Sequence, residues 1–228
     1  MTDSTRFSWT VLLPVKVLAR AKSRLAVLAG ERRRELALAL ASDTVAAVAA
    51  CPAVARVVVI TTDPVAGPLL AALGAVIVSD EPADLSAHGS GVQEGLNAAL
   101  RHGAAFAARR WPGTGLAALT ADLPALRPAE LAAALRAVEA APAAAAFVPD
   151  AARVGTTLYA VRPGAEFRPR FGGASAARHA ASGALELDLG GLAGLHRDVD
   201  TADDLRAALT LGAGPRTTAL AGVLLADV

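Results

Sequence analysis

The order of apolar and polar positions divides the chain into alternating strands and helices. Continuous apolar runs rich in β-branched residues, such as RVVVIT at Arg56–Thr61, predict strands that are buried on both faces. Segments with apolar residues three or four positions apart, such as Glu31–Ala50, predict the helices between them. Strands that alternate with helices form a mostly parallel mixed sheet with helices on both faces. The sequence therefore predicts an α/β fold.

The same pattern places the individual elements. Strands are predicted at Trp9–Val15, Arg56–Thr61, Ala75–Val78, Leu116–Leu119, Ala144–Val148, Thr157–Val161 and Ala184–Leu187. Helices are predicted at Glu31–Ala50, Leu69–Leu73, Glu94–Arg109, Pro128–Ala141, from Ser175, and at Thr201–Leu209. Because no linker or repeat interrupts this alternation, we expect a single domain over residues 1–228, with peripheral tails at 1–8 and 216–228.

Composition narrows the class of protein. With 54% hydrophobic and 19% charged residues, the chain is not intrinsically disordered. Its net charge of +1 gives no global field that would recruit nucleic acid or an anionic membrane. Neither a membrane-spanning run nor a signal peptide is visible, and the single cysteine excludes an internal disulfide or a cysteine-based zinc site. The single cysteine also fits a reducing compartment, so we expect a cytoplasmic protein.

A basic cluster follows the first predicted strand, where parallel sheets bind their ligands. Lys16, Arg20, Lys22 and Arg24 place four cations within nine residues. Such a cluster can neutralise a triphosphate, and a solvated basic turn is the alternative. Neither the P-loop nor the GxGxxG pattern is present.

Acidic residues follow two later segments. Asp122 comes directly after the fourth predicted strand, in LTADLPAL. Asp198 and Asp200 lie two positions apart, so both carboxylates face one side if this segment is extended. Carboxylates so close together repel each other unless a cation lies between them, and Mg²⁺ prefers such hard oxygen ligands. The alternatives are a turn or cap role for Asp122, exposure for Asp198, and a place before the Thr201 helix cap for Asp200.

Glycine and hydroxyl residues form the fourth cluster, which combines Thr156 with the segment RFGGAS that includes Gly172 and Ser175. Backbone N–H groups at a helix start bind phosphate or carboxylate, and an ordinary helix entry with Ser175 as its cap is the alternative. Asn97 follows the polar loop Glu81–Gly95. Its amide could bind a nucleobase or a ribose, whereas the alternative is a helix-surface or capping residue.

These clusters, in this order, are similar to those of a known family. The chain resembles the 2-phospho-L-lactate guanylyltransferase family of coenzyme F420 biosynthesis, and most of all its actinobacterial branch, which uses phosphoenolpyruvate. The resemblance spans Thr10 to Pro215 and rests on VLLPVKVLARAKSRL, DTVAAV, VVVITTD, LNAAL, ADLPAL, GTTLYA, RFGGASAARHAASGALEL and DVDTADDLRAAL. Ala121 is a departure, since many relatives carry glycine there, and the loop Glu81–Gly95 is longer than expected.

The resemblance implies a Rossmann-like nucleotide-diphospho-sugar-transferase fold. It implies an enzyme that condenses phosphoenolpyruvate with GTP, with Mg²⁺ as cofactor and diphosphate as the second product. Its functional residues carry over to Thr156, Gly172 and Ser175 for phosphoenolpyruvate, to Asp122, Asp198 and Asp200 for the metal, and to Lys16, Lys22 and Arg24 for triphosphate binding and catalysis. From its own position in the chain, we expect Asn97 to be a further nucleotide ligand.

Three alternatives remain at this point. The acceptor could instead be 2-phospho-L-lactate or 3-phosphoglycerate, which differ from phosphoenolpyruvate by few atoms. The chain could be a nucleotidyltransferase of the molybdopterin or sugar-phosphate type, although it lacks their glycine-rich first loop. It could also be a nucleotide-binding domain without catalytic activity. The alanine-rich surface is compatible with a homodimer.

Overall fold

A seven-stranded sheet forms the centre of the molecule in the part of the chain that the structure, a computed structural model, describes: residues 7–18, 22, 25–79 and 92–226. The strands are β1 (Trp9–Pro14), β2 (Val54–Ile60), β3 (Val76–Val78), β4 (Gly115–Leu119), β5 (Ala145–Pro149), β6 (Thr156–Val161) and β7 (Leu185–Glu186). Every predicted strand is present, and no boundary differs by more than two residues.

The strand order is β3-β2-β1-β4-β6-β5-β7. β1 pairs in parallel with both β2 and β4, β2 pairs in parallel with β3, and β5 pairs in parallel with β7. Only β6 runs against its neighbours, β4 and β5. The predicted mostly parallel mixed sheet is thus confirmed. Since the chain goes from β1 to β2 on one side and later returns to β4 on the other, a crevice opens at the carboxyl ends of β1 and β4.

Helices cover both faces of this sheet. They are α1 (Ala26–Ala29), α2 (Arg33–Ala49) after a short 3₁₀ turn (Gly30–Arg32), α3 (Ala66–Ala71), α4 (Val92–Arg110), α5 (Pro128–Ala140), α6 (Ser175–Ala181), α7 (Ala193–His196), α8 (Ala202–Leu211) and α9 (Pro215–Ala226). The six predicted helices correspond to α2–α6 and α8. The sequence signals that begin two of them are confirmed: proline starts α5, and Thr201 caps α8 by accepting from the Asp204 N–H.

No helix among the described ranges is both long enough and apolar enough to cross a lipid bilayer.

The apolar residues of the strands contribute to a separate core on each face of the sheet. In β1, Leu13 packs in the core beneath α2 and α5, whereas its neighbour Leu12 packs in the core beneath α4. Both are fully buried, as the continuous apolar run predicts. Cys51, the only cysteine of the sequence, is buried in the first of these cores.

The segment after residue 215 is not a peripheral tail, so that expectation is wrong. It forms α9, whose Ala221 and Leu224 are buried against α2 and α8. The buried carboxylate of Asp43 in α2 accepts hydrogen bonds from the backbone N–H groups of Thr217, at 2.7 Å, and Arg216, at 3.3 Å. The apolar residues of α9 do not form one clear stripe, so its sequence did not show the helical pattern. Of the expected tail at the other end, residues 1–6 lie outside the described ranges.

A glycine on α7 allows this helix to lie close to α5. The Gly194 N–H donates to Glu130 Oε1 at 2.9 Å, and an added Cβ would lie 2.2 Å from the carbonyl oxygen of Ala125. Since backbone atoms cannot move aside as a flexible side chain can, only glycine fits. This contact matters because α7 leads directly into the segment that contains Asp198 and Asp200.

We predict that Gly194→Ala lowers the free energy of unfolding by roughly 1–3 kcal/mol, because the added methyl group overpacks a site without free volume. Urea denaturation measures this change. The matched control is Gly190→Ala, where a Cβ would meet no atom within 4 Å, and it should change the free energy by less than about 1 kcal/mol. Equal stability of the two variants would contradict the packing argument.

Candidate active site

A cavity of about 240 Å³ opens at the carboxyl ends of β1 and β4. Lys16 and Lys22 line it from the loop after β1, Asp122 lines it from the turn after β4, and Asp200 lines it from the segment before α8. Because β1 and β4 are parallel neighbours, residues that follow either strand reach the same edge of the sheet. The fold thus brings together polar residues from three of the clusters that the sequence singles out.

Backbone hydrogen bonds fix the acidic residues beside one another. The Leu123 N–H donates to the Thr44 hydroxyl at 2.9 Å, which holds the turn after Asp122 against α2. The Val199 N–H donates to the carbonyl oxygen of Asp122 at 3.1 Å, which holds the segment before α8 against the same turn. Val199 itself is fully buried, whereas Asp200 is exposed, as expected where alternate residues of an extended segment face opposite sides.

Lys22 bridges two of these carboxylates. Its Nζ atom lies 2.8 Å from Asp200 Oδ1 and also donates to Asp122 Oδ2. Burial lowers the pKa of the Lys22 ammonium group, but the two carboxylates outweigh that effect, so the net pKa lies above the usual value and the group is charged. Its backbone has a φ of +52°, which is unfavourable for a residue with a side chain. The sequence placed Lys22 in the basic cluster but gave no sign of this pairing.

The pKa of Asp198 indicates that negative charge at this edge of the sheet is not fully compensated. Burial raises the pKa of its carboxyl group, and the charges of Asp122, Asp200 and Asp150 raise it further, to about 7, although Lys22 opposes them. A carboxyl group with this pKa is partly protonated near neutral pH. A single lysine therefore does not balance the acidic residues at this edge of the sheet.

The arrangement fits a hard cation, although a metal centre is not preassembled. Asp122 Oδ1 and Thr120 Oγ1 are buried and have no hydrogen-bond partner among the described residues. In the same part of the chain, no three acidic, histidine or cysteine side chains are close enough to hold a metal ion as they stand. Oxygen donors with excess negative charge are what Mg²⁺ prefers. Ligation by Asp122, Asp198 and Asp200 stays a prediction, and it requires Lys22 to move away from two of them.

The expected acceptor residues lie on the other side of β4. The Thr120 N–H donates to the carbonyl oxygen of Thr157 at 2.9 Å, so Thr156 lies beside the end of β4. Ser175 begins α6 and is 1% exposed. Neither residue lines the cavity beside Lys22, and neither does Gly172. Their contact with a substrate therefore stays a prediction.

The loop before α6 is held by side chains from α6 and from α4. Gly172 and Gly173 have φ values of +99° and +44°, which favour glycine and turn the chain into α6. Arg178 donates to the carbonyl oxygens of Arg170 and Gly172. Asn97 donates to the carbonyl oxygen of Phe171 at 3.1 Å and accepts from its N–H at 2.8 Å. Asn97 thus anchors this loop, a role that its sequence did not indicate, and its contact with a nucleotide stays a prediction.

The remaining expected residues are placed only in part. Lys16 is exposed at the mouth of the cavity, where a triphosphate could reach it. Arg24 and residues 81–91 of the polar loop lie outside the described ranges, and their predicted roles are not tested.

A buried histidine, to which the sequence assigned no role, contacts Thr156. His179 is fully buried, and its ring stacks on Tyr159 with centroids 4.6 Å apart. Burial lowers the pKa of the imidazole to about 4, and the positive charges of Arg178 and Arg170 contribute. His179 is therefore neutral at pH 7. The residues three and four positions before it on α6 are the small Ala176 and Ser175, so the sequence offered no partner from which to infer this burial.

Comparison with known sequences points to one family. A model of the MobA-like NTP transferase domain matches residues 19–186. A phosphoenolpyruvate guanylyltransferase from Thermomonospora curvata is 59% identical over 96% of this chain and 91% of its own length. A protein of the same name from Streptomyces avermitilis is 59% identical over 95% of each chain.

Comparison with solved structures supports the fold. One similar structure is that of a Desulfovibrio desulfuricans protein assigned as a nucleotide-diphospho-sugar transferase. The two structures superpose with a TM-score of 0.64 at 15% sequence identity, over 96% of this chain and 97% of that protein. A CMP:2-keto-3-deoxy-manno-octonic acid synthetase solved with CTP covers 89% of this chain and 98% of its own, with a TM-score of 0.53 and 15% identity. The expected nucleotide-diphospho-sugar-transferase fold is thus confirmed.

We predict that the neutral His179 makes stability depend on pH. Below pH 6.5 the unfolded chain gains a proton on this residue, whereas the folded chain does not until about pH 4. This stabilisation is therefore complete above pH 6.5 and decreases as the pH falls to 4, by roughly 3 kcal/mol. Urea denaturation across this range should show a larger loss for the wild type than for His179→Phe. Parallel profiles would contradict the low pKa.

Proposed function

Because the chain belongs to the family of its phosphoenolpyruvate guanylyltransferase relatives, within the MobA-like NTP transferases, we propose that it condenses phosphoenolpyruvate with GTP. The products are enolpyruvoyl-2-diphospho-5′-guanosine and diphosphate, and the reaction serves coenzyme F420 biosynthesis in the cytoplasm. The observation that carries the proposal is the cavity between β1 and β4, in which Lys16 and Lys22 face Asp122 and Asp200.

The chemistry requires charge and alignment rather than a covalent intermediate. A phosphate oxygen of the acceptor forms a bond to the α-phosphorus of GTP. The bond from that phosphorus to the bridging oxygen breaks, and diphosphate leaves with the electron pair. The nucleophile is already an anion and needs no general base. The obstacle is the repulsion between two polyanions, which the protein must offset while it aligns them.

The basic residues act on the nucleotide. Lys16 and Lys22 neutralise the triphosphate and the leaving diphosphate, and Arg24 of the same cluster contributes to both. Lys22 is suited to this role because its ammonium group is charged and already lies in the cavity. When the nucleotide binds, phosphate oxygens replace the carboxylates as its partners.

The acidic residues hold the cofactor. Asp122, Asp198 and Asp200 would bind Mg²⁺, which supplies positive charge to the phosphates when bound. Support comes from the buried oxygen of Asp122 that has no partner among the described residues, and from the raised pKa of Asp198. Asp122 and Asp200 become free for this role as Lys22 turns to the phosphates.

The residues beyond β4 hold the acceptor. The hydroxyl groups of Thr156 and Ser175 and the N–H of Gly172 donate to its phosphate or carboxylate oxygens. Asn97 fixes the loop on which Gly172 lies. We also expect its amide to be a further ligand of the nucleotide. In this arrangement the two substrates approach each other across the end of β4.

We predict that the protein, given GTP, Mg²⁺ and an equimolar mixture of phosphoenolpyruvate, 2-phospho-L-lactate and 3-phosphoglycerate, forms the enolpyruvoyl product in excess. Mass spectrometry separates the three products, and a coupled assay follows diphosphate release. A lactyl or glyceryl product in excess would assign a different acceptor within the same reaction. The absence of diphosphate release with all three acceptors would contradict the proposed function, and CTP with a sugar phosphate then tests the related transferase class.

We predict that Asp122→Asn lowers kcat/KM by about 100-fold or more, because it removes one negative charge from the cation site without changing the size of the side chain. The matched control is Asp203→Asn on the exposed face of α8, which should retain activity within about twofold, since its ion pair with Arg206 is at the surface. Similar activity of the two variants would contradict the role of Asp122. Thermal unfolding of both proteins checks that they fold.

A further inference from the structure

His179 makes two hydrogen bonds that together define where its proton lies. The backbone N–H of Arg170 lies 2.9 Å from Nε2, and a backbone N–H can only donate. Nε2 of the neutral ring is therefore the unprotonated nitrogen, and the proton is on Nδ1. The contacts of the ring thus determine its tautomer.

This tautomer determines the direction of the contact with Thr156. Nδ1 lies 3.0 Å from Thr156 Oγ1, and because Nδ1 carries the proton, the hydroxyl oxygen is the acceptor. The proton of the Thr156 hydroxyl is left to donate elsewhere, and the described residues offer it no other hydrogen-bond partner.

Aromatic side chains hold the imidazole in this orientation. Tyr159 stacks on one face, at an interplanar angle of 15°. Phe171 meets the ring edge-on with centroids 5.4 Å apart, and Phe147 packs at 5.7 Å. A ring enclosed in this way cannot rotate to offer the other nitrogen to Thr156 without displacing these neighbours.

We propose that His179 is a positioning residue for the acceptor: it directs the Thr156 hydroxyl proton towards the bound phosphate or carboxylate and holds the loop that carries Gly172 through the Arg170 N–H. This inference rests on the proposed function, because it takes Thr156 as a ligand of a small phosphorylated carboxylic acid. One neutral ring thereby links two acceptor-binding groups, since both Thr156 and the loop that carries Gly172 make hydrogen bonds to it.

A double-mutant cycle with Thr156 tests the proposal. His179→Phe keeps an aromatic ring but removes both hydrogen bonds, so KM for phosphoenolpyruvate should rise roughly tenfold, the effect of one hydrogen bond to a charged group. KM for GTP should stay within about twofold, because the nucleotide side lies across β4. In the Thr156→Val background, which has no hydroxyl to direct, His179→Phe should raise the acceptor KM by less than about threefold.

Two conservative variants separate the hydrogen bonds. His179→Asn keeps a donor at the place of Nδ1 and should retain most of the acceptor affinity. His179→Gln keeps only the acceptor at the place of Nε2, so it should preserve the bond to the loop but still show most of the rise in acceptor KM that His179→Phe shows. The matched control is His102→Phe on α4, which should leave both KM values unchanged, and thermal unfolding of each variant shows whether it folds.

The outcomes distinguish this inference from the proposed function. Suppose that the wild type converts an acceptor, but His179→Phe raises the acceptor KM by the same factor with and without the Thr156 hydroxyl. His179 is then structural only and the inference is wrong. The same conclusion follows if His179→Phe raises KM for GTP by as much as it raises KM for the acceptor. If the wild type releases no diphosphate with any of the three acceptors, the proposed function is wrong and the inference is overturned with it.

Discussion

Several negatively charged carboxylates lie together at the end of β4 and in the segment before α8, and like charges at such distances repel each other. Their proximity is imposed by hydrogen bonds that involve no charge: the Val199 N–H on the Asp122 carbonyl and the Leu123 N–H on Thr44. Lys22 offsets part of the repulsion, and Asp198 takes up a proton near neutral pH to offset more of it. The scaffold thus holds a charge arrangement that only an additional cation would balance fully.

Because β4 pairs with β1 on one side and with β6 on the other, the two proposed substrates can bind on opposite sides of the end of β4. β1 and β4 run in parallel, so their ends form the crevice in which the basic and acidic residues meet. β6 runs against β4, so the chain enters β6 at the edge where β4 ends, and Thr156 lies there. A transfer between two anions needs both to be held independently until they react, and this arrangement allows it.

The sequence predicted the local features of the fold and which polar clusters belong to the site, but not the direct contacts between distant residues. Strand and helix positions follow from alternation and apolar runs, which depend on neighbouring residues, and the Thr201 cap depends on a residue three positions away. The Lys22–Asp200 pair spans 178 positions, and nothing near either residue indicates the other. Likewise α9 was missed because its stability depends on Asp43 and on α2. The role of His179 was missed because its partners come from β6 and from the loop before α6.

The single buried thiol has a practical consequence for following the enzyme during turnover. Cys51 is 2% exposed and burial raises the pKa of its thiol, so little reactive thiolate is available to a labelling reagent. A cysteine introduced at Val154, which is 54% exposed and whose carbonyl accepts from the first turn of α6, would therefore be the preferred point of attachment for a fluorophore. Motion of the loop between β5 and β6, which leads into Thr156, could then be recorded in solution without first removing the native cysteine.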